Sequence, residues 1–175
     1  RDSISIFMEK GGIKYELIDT AGVRRRAKVT EVVEKFSVIK ALQAIDRAHV
    51  VILMLDASEG LTDQDTTLLG HILQQGRALV IALNKWDGMG EYDRKQVLSE
   101  MDRRLQYVPW ARQIRMSALH GSGLKELIKA VREAWRSATI KMPTSELTRV
   151  LQKAWQAHQP PMSQGRTSRL RFAHA

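Results

Sequence analysis

A chain of 175 residues that is 43% hydrophobic has enough apolar content for one sizeable core and a fragment of a second domain. It has no cysteine, which excludes a disulfide framework and any Cys-based metal site; no apolar run reaches the roughly 18 residues of a membrane span, and no signal peptide opens the chain. The formal charge of +9, with pI ≈ 10.1, favours a polyanionic partner, nucleic acid first, over a basic surface with no binding role.

The chain begins at Arg1, without an initiator methionine, and runs straight into strand-like sequence, so a start inside a domain is predicted. Residues Ser3 to Met8 alternate, with Ile4, Ile6 and Met8 on one face. Gly11-Gly12 signals a turn, and Ile13, Tyr15 and Leu17 alternate again, which predicts a β-hairpin. Its second strand ends in Asp19-Thr20-Ala21-Gly22, and Val23-Arg24-Arg25-Arg26-Ala27-Lys28 follows as a basic loop. From Glu31 a helix is predicted, with Phe36, Ile39, Leu42 and Ile45 recurring every third residue.

His49 to Ala57 holds the run Val50-Val51-Ile52-Leu53-Met54-Leu55, whose unbroken apolar character fits a parallel strand covered on both faces. Thr62 or Asp63 can cap a helix carrying Leu68, Leu69, Ile72 and Leu73, which Gly76 closes. Ala78 to Leu83 is a second buried strand and delivers Asn84 at its end. After Gly88-Met89-Gly90, a charged helix carries Val97, Met101 and Leu105, with Pro109 as its predicted end. Gln113 to Met116 is a short strand that delivers Ser117, and Gly121-Ser122-Gly123 turns into a helix with Leu124, Leu127, Ile128, Val131 and Trp135.

Strands alternate with helices from Val50 onward, which predicts right-handed βαβ units and a three-layer α/β sheet. Residues 1–138 read as one domain, 139–145 as a linker, and 146–175 as the beginning of a second, α+β domain. In that last part a helix capped at Thr144 or Ser145 has Leu147, Val150, Leu151, Ala154 and Trp155 as its apolar face, Pro160-Pro161 breaks it, and Thr167 to Ala173 is strand-like. From Thr139 on, six basic residues stand against the single acid Glu146, which supplies +5 of the +9.

Two strand ends carry chemistry. Asp19 stands where open α/β sheets bind ligands, and its carboxylate can hold a Mg²⁺ through water. Three residues later Gly22 lacks a side chain, so its N–H can approach a γ-phosphate closely. The D-x-x-G pattern alone is weak. The second motif, Asn84-Lys85-Trp86-Asp87, strengthens it. The Asp87 carboxylate can accept from both the ring N1–H and the 2-amino group of guanine, donors that adenine lacks there, and an unpaired buried carboxylate would reject the wrong base. Asn84 would tie loops together and meet N7, the Lys85 stem can lie along the base, and the Ala118 N–H in Ser117-Ala118-Leu119 would donate to guanine O6. Asn and Asp also favour ordinary turns. The order of the motifs, their spacings of 65 and 33 residues, and their positions just after strands set this case apart. Val23 stands where many GTPases place a water-orienting glutamine, and its side chain cannot hydrogen-bond water. No catalytic group is named by the sequence. Arg24, Arg25 and Arg26 read either as a phosphate or RNA contact or as a solvated basic loop. His49, His71 and His120 have no metal-ligand spacing, and Trp86, Trp110 and Trp135 read as packing residues.

At Arg1-Asp2-Ser3-Ile4, Asp19-Thr20-Ala21-Gly22-Val23-Arg24-Arg25-Arg26, Asn84-Lys85-Trp86-Asp87 and Ser117-Ala118, the sequence resembles the EngA (Der) family of tandem-domain GTPases of ribosome assembly. The match is to the second GTPase domain and the start of the KH-like domain, and covers essentially the whole chain. The resemblance implies GTP as ligand, its hydrolysis to GDP, Mg²⁺ as cofactor, K⁺ as a stimulating ion, and the large ribosomal subunit or its rRNA as partner. It also implies a cytoplasmic monomer with no membrane association. Upstream it implies a first GTPase domain, then the loop G-x-x-x-x-G-K-[ST], neither within these residues. Gly165 is followed by Arg166, Thr167 and Ser168, so the KH-type G-x-x-G clamp is missing. Two other readings stand beside this one: a nucleotide-independent RNA- or ribosome-binding fragment, and a related GTPase acting on tRNA or small-subunit RNA.

Overall fold

A computed structural model describes residues 4–19 and 31–158 of the chain. The chain divides into two compact units, Arg1–Ala138 and Thr139–Ala175.

In the first unit, strands β1 (Ile4–Lys10) and β2 (Ile13–Asp19) form the predicted hairpin. Its two-residue loop is Gly11-Gly12, both with positive φ (60° and 73°), the conformation that matches the twist of the flanking strands. The register places Ile6 opposite Leu17 and Met8 opposite Tyr15 on one face. Arg132 ties the hairpin to the rest of the unit: it donates to the Lys10 carbonyl and, at 2.5 Å, to the Tyr15 hydroxyl.

Helix α1 (Glu31–Arg47) leads to β3 (Val50–Asp56), α2 (Asp63–Gln74) and β4 (Ala78–Asn84). A single 3₁₀ turn (Trp86–Gly88) precedes α3 (Glu91–Arg104), β5 (Arg112–Arg115) and α4 (Leu124–Ala138). The strands pair in parallel in the order β3-β4-β5. Every residue of β4 before Asn84 is buried, as its continuous apolar run requires. Successive side chains of β4 point to opposite faces. Leu79, Ile81 and Leu83 join Leu69 and Ile72 of α2, Met101 of α3 and Ile45 of α1 in one core. Val80 and Ala82 meet Leu127 and Ala130 of α4 in the other. The result is three layers, helix–sheet–helix. Each large apolar side chain fully removed from water there contributes about 1.5–3 kcal/mol.

Helix α2 starts as its sequence dictates. The Thr62 hydroxyl accepts from the Asp65 N–H (3.3 Å) and the Asp65 carboxylate accepts from the Thr62 N–H (3.0 Å), a reciprocal capping box. Arg104 of α3 braces this corner, donating to the Leu61 carbonyl and, at 3.2 Å, to the Thr66 hydroxyl.

Four expectations are corrected. Helix α3 stops at Arg104, before Pro109 is reached. The chain then makes two turns (Val108 N–H to Leu105 O, 2.9 Å; Ala111 N–H to Val108 O, 3.0 Å), each pinned by a buried apolar side chain. On α1, Ile39 is 49% exposed, and the buried stripe is Ala41, Ala44 and Ile45. A strict three-residue repeat drifts about 60° around a helix per step, so Ile39 has left the face that Ile45 occupies. Trp86 packs on the core as expected, with the guanidinium groups of Arg94 and Arg115 at 5.7 and 5.8 Å from its ring centroid, whereas Trp110 (57%) and Trp135 (46%) are exposed. In the second unit, helix α5 (Thr144–Ala157) has Pro143 at its cap position with no side-chain cap. The Pro143 carbonyl instead accepts from the Glu146 and Leu147 N–H groups, both at 3.0 Å, with Thr144 and Ser145 already inside the first turn. The predicted break at Pro160-Pro161 and the strand from Thr167 lie outside the described residues.

Candidate functional site

The parallel register decides which residues share an edge. Asp56, the last residue of β3, pairs with Asn84, the last residue of β4, and Arg115 of β5 pairs with Leu83. Met116 continues that row through its N–H to the Leu83 carbonyl (2.9 Å), and Ser117 follows. Three strand ends therefore deliver Asp56, Asn84 and Ser117 to the same carboxyl edge, where sheets of this kind bind ligands.

Asn84 joins the second and third of these ends. Its side-chain oxygen accepts the Ala118 N–H at 2.8 Å. The Ala118 donor is thus committed to Asn84, where the sequence reading gave it to guanine O6. An O6 contact from the same N–H requires a shared, three-centre bond or release of Asn84. Lys85 follows in the left-handed region (φ 64°, ψ 26°), and among the described residues it is the non-glycine with positive φ. This turn sends Trp86 into the core and brings Asp87 back towards the loop after β5. The Trp86 N–H donates to the Met116 carbonyl (3.2 Å), which locks the turn to β5.

The Asp87 carboxylate is held from that loop. A hydrogen bond from the Ser117 hydroxyl, with the charges of His120 and Arg94 behind it, keeps its pKa below the ordinary value against the opposing effect of desolvation. The His120 Nε2 lies 3.3 Å from the Asp87 Oδ2. Ser117 itself is only 1% exposed, and its hydroxyl also accepts the His120 N–H at 3.3 Å. Asp87 is thus ionised and oriented at neutral pH, as an acceptor for two parallel N–H donors must be. The structure brings Asn84, Lys85, Asp87, Ser117 and Ala118 together. Trp86 serves them from beneath, and Leu119 is exposed beside them.

Two residues at this edge escaped the sequence reading. His120 was judged only as a metal ligand. Its place three residues after Ser117 in a turning loop was the available signal. Asp56 lies within the predicted buried strand His49 to Ala57 and is given no role there. Its Oδ2 lies 2.5 Å from the Lys85 Nζ, and its Oδ1 accepts from the Ser58 N–H (3.0 Å) and hydroxyl (2.6 Å). Burial would raise the Asp56 pKa, but the hydrogen bonds from Lys85 and Ser58 and the Lys85 charge outweigh it and bring it to about 2.

Of the first motif, Asp19 is the last residue of β2, opposite Ile4. Thr20, Ala21, Gly22, Val23, Arg24, Arg25 and Arg26 lie outside the described residues. Among the described residues no group of three or more His, Cys, Asp or Glu could hold a metal ion, and no helix is long and apolar enough to cross a membrane.

The sequence profile of the elongation factor Tu GTP binding domain matches residues 3–137. Over 174 residues the chain is 53% identical to the GTPase Der of Stenotrophomonas maltophilia (strain R551-3), covering 99% of this chain and 37% of that protein. It is 52% identical over the same length to the GTPase Der of Acinetobacter baumannii (strain AYE), again covering 99% and 37%. The chain therefore spans little more than a third of the curated relatives it matches. Among solved structures it is similar to Era in complex with MgGDPNP and nucleotides 1506–1542 of 16S ribosomal RNA (TM-score 0.64, 26% identity, 77% of this chain and 44% of that one). The elongation factor SelB of Methanococcus maripaludis shares the fold (TM-score 0.65, 19% identity, 82% of this chain and 30% of that one). The three-layer architecture is thus that of the mixed α/β, P-loop GTPase-type domains. The chain belongs to the elongation factor Tu GTP binding domain family, within the GTPase superfamily that includes EngA/Der.

Proposed function

We propose that this chain is the base-reading part of a GTP-binding and GTP-hydrolysing switch that acts in assembly of the large ribosomal subunit. In this reading residues 1–138 are a second GTPase domain of the EngA (Der) kind, 139–145 a linker and 146–175 the beginning of a KH-like domain. The observation that carries it is the lacing of two loops into one acceptor. Asn84 holds the Ala118 N–H, while the Asp87 carboxylate lies 3.3 Å from the His120 Nε2 of the same loop. Guanine fits that acceptor through N1–H and the 2-amino group, and adenine leaves it unpaired.

The phosphates would belong to the segment that follows β2, whose hairpin pairs as a separate two-stranded sheet among the described residues. Gly22 would bring its N–H to the γ-phosphate, and Asp19 would hold Mg²⁺ through water. A loop G-x-x-x-x-G-K-[ST] upstream would supply most of the phosphate contacts. Mg²⁺ supplies charge neutralisation between phosphate oxygens. The chain's own part is base selection and the γ-phosphate contact that orders the loop carrying Arg24, Arg25 and Arg26. That loop would present its charge to rRNA in one nucleotide state. The switch would work in the cytoplasm as a monomer, with K⁺ as a stimulating ion.

The intact mass of the native protein is the first test. A mass well above 19.9 kDa is expected, with the phosphate loop upstream; a mass equal to it sinks the hydrolytic reading for this molecule. Co-sedimentation with large ribosomal subunits then separates a switch from a plain RNA binder. Binding that differs between GTP-analogue and GDP forms is expected, and binding indifferent to nucleotide favours the fragment reading. Replacing Arg24, Arg25 and Arg26 by serine should leave GTP affinity unchanged and weaken the particle interaction; equal particle binding rules out their effector role.

A further inference from the structure

The carboxyl edge contains a contact that base recognition does not explain. The Lys85 ammonium reaches across from β4 to Asp56 at the end of β3. Among the described residues Lys85 is the non-glycine with positive φ. Its left-handed φ of 64° is a conformation that glycine adopts readily and a lysine does not. Such a turn persists only where its surroundings over-determine it. Here they do so from both neighbouring strands. From β5, the Met116 carbonyl holds the Trp86 N–H. From β3, the Ala57 N–H donates to the Asn84 carbonyl at 2.9 Å, and Asp56 holds the Lys85 side chain. The peptide between Asn84 and Lys85 is therefore gripped at its carbonyl and, through the lysine, at its far side.

Asp56 is suited to this task because its own geometry is fixed. Its side chain is 13% exposed, and Oδ1 is fully occupied by Ser58, which leaves Oδ2 aimed at the ammonium. A paired, hydrogen-bonded and largely buried carboxylate is far less free to move than a surface ion pair. The turn it secures sets the relation between Asn84, one residue before, and Asp87, two residues after.

We infer that Asp56 is a positioning residue for the base site: by anchoring the Lys85 ammonium it holds the left-handed turn from which Asn84 and Asp87 reach the nucleotide. The inference rests on the guanine reading above and assigns to that site a residue outside its signature motifs. Asp56 touches no nucleotide in this scheme, and its influence passes through Lys85.

The test measures amide hydrogen exchange of Ala118 and affinity for GDP and ADP on the native full-length protein. It compares wild type with Asp56→Asn, Lys85→Met and the double variant. Asn keeps the shape and an acceptor for Ser58 but loses the charge; Met keeps the lysine stem, and at an exposed position it cannot prevent folding. Asp56→Asn is expected to speed Ala118 exchange and weaken GDP binding, each about tenfold, with the double variant no worse than Lys85→Met. Ser58→Ala, which removes one of the two bonds on Oδ1 but leaves the ion pair and the Ser58 N–H bond in place, should cost clearly less than Asp56→Asn. Additive losses in the double variant, or equal losses from Ser58→Ala, would mean that Asp56 merely caps β3 and would overturn the assignment. So would Lys85→Met with Ala118 exchange and GDP affinity unchanged. A wild type that prefers GDP to ADP beside an unaltered Asp56→Asn variant removes Asp56 alone; a wild type with no such preference removes the guanine reading itself.

Discussion

The side-chain oxygen of Asn84 and the backbone N–H of Ala118 meet at 2.8 Å across 34 residues of sequence. One is the last residue of a buried strand and the other lies in the loop after the next strand. The bond therefore fixes one loop against the other before any ligand arrives. Asn84→Ala should remove about 1 kcal/mol and lower the melting temperature by roughly 2–4 °C. Asn84→Asp retains an acceptor and should melt close to wild type, yet lose the amide donor offered to N7. Differential scanning fluorimetry beside a nucleotide titration separates the two effects. Equal melting of wild type and Asn84→Ala would show that this bond does not order the loops.

In the proposed site the Asp87 carboxylate would accept from two guanine donors, so its replacement by an amide should change the preferred base. Asp87→Asn offers one donor and one acceptor, which matches xanthine, where an oxygen replaces the 2-amino group. Competition binding should show GTP affinity falling by about 100-fold or more and XTP gaining over GTP, the scale expected when a site built for one hydrogen-bond pattern meets another. Retained GTP preference would remove Asp87 from the base site.

The Asp56–Lys85 pair also makes a prediction for acid stability. Asp56 has its pKa brought from 3.8 to about 2 by the hydrogen bonds and charge that overcome its burial. A carboxyl group with a lowered folded-state pKa contributes stability that is fully present above its unfolded value and is lost as pH falls through the folded one. The window for Asp56 therefore runs from 3.8 down to about 2. Urea midpoints should fall across that window in the wild type, and less steeply in Asp56→Asn, which has no proton to take up there. Parallel slopes in the two proteins would show that the pair does not contribute to stability.

What the sequence revealed and what it hid divide along physical lines. Strand β4 and its Asn84 terminus were legible because a strand buried on both faces is written as a continuous apolar run. Thr62 and the Gly11-Gly12 turn were legible because local chemistry specifies caps and tight turns. The Asp56–Lys85 contact was not, because it arises from parallel strand register between segments 29 residues apart, and no local pattern encodes register. The end of α3 was misplaced for a related reason. Pro109 is a strong local stop, but Leu105, Val108 and Ala111 gain burial by leaving the helix earlier, and that gain is tertiary. The same turns leave Trp110 outside the core, so residue type alone misjudged it.

Gly123 and Gly76 together test how tightly the loop after β5 is built. Both glycines have positive φ, +77° and +61°, so alanine at either position carries the same backbone penalty of about 1–3 kcal/mol. Their surroundings differ. A Cβ on Gly76 would meet nothing within 4 Å, while one on Gly123 would stand 2.4 Å from the Arg115 carbonyl oxygen and 2.8 Å from the Met116 Cβ. Neither neighbour can yield cheaply. Arg115 is the last residue of β5, and the Met116 N–H is bonded to the Leu83 carbonyl. Gly123→Ala should therefore cost about 1–3 kcal/mol more than Gly76→Ala, the usual range for overpacking against a fixed wall. The displacement should also reach the base site. The Ser117 N–H donates to the Ser122 carbonyl at 3.0 Å, one residue before the substituted position. Denaturant melts of both variants check the stability difference, and the Ser117 and Ala118 amide resonances check its transmission. A Gly123→Ala protein as stable as Gly76→Ala would mean that the end of β5 yields to the added methyl group and does not brace the loop holding Asp87.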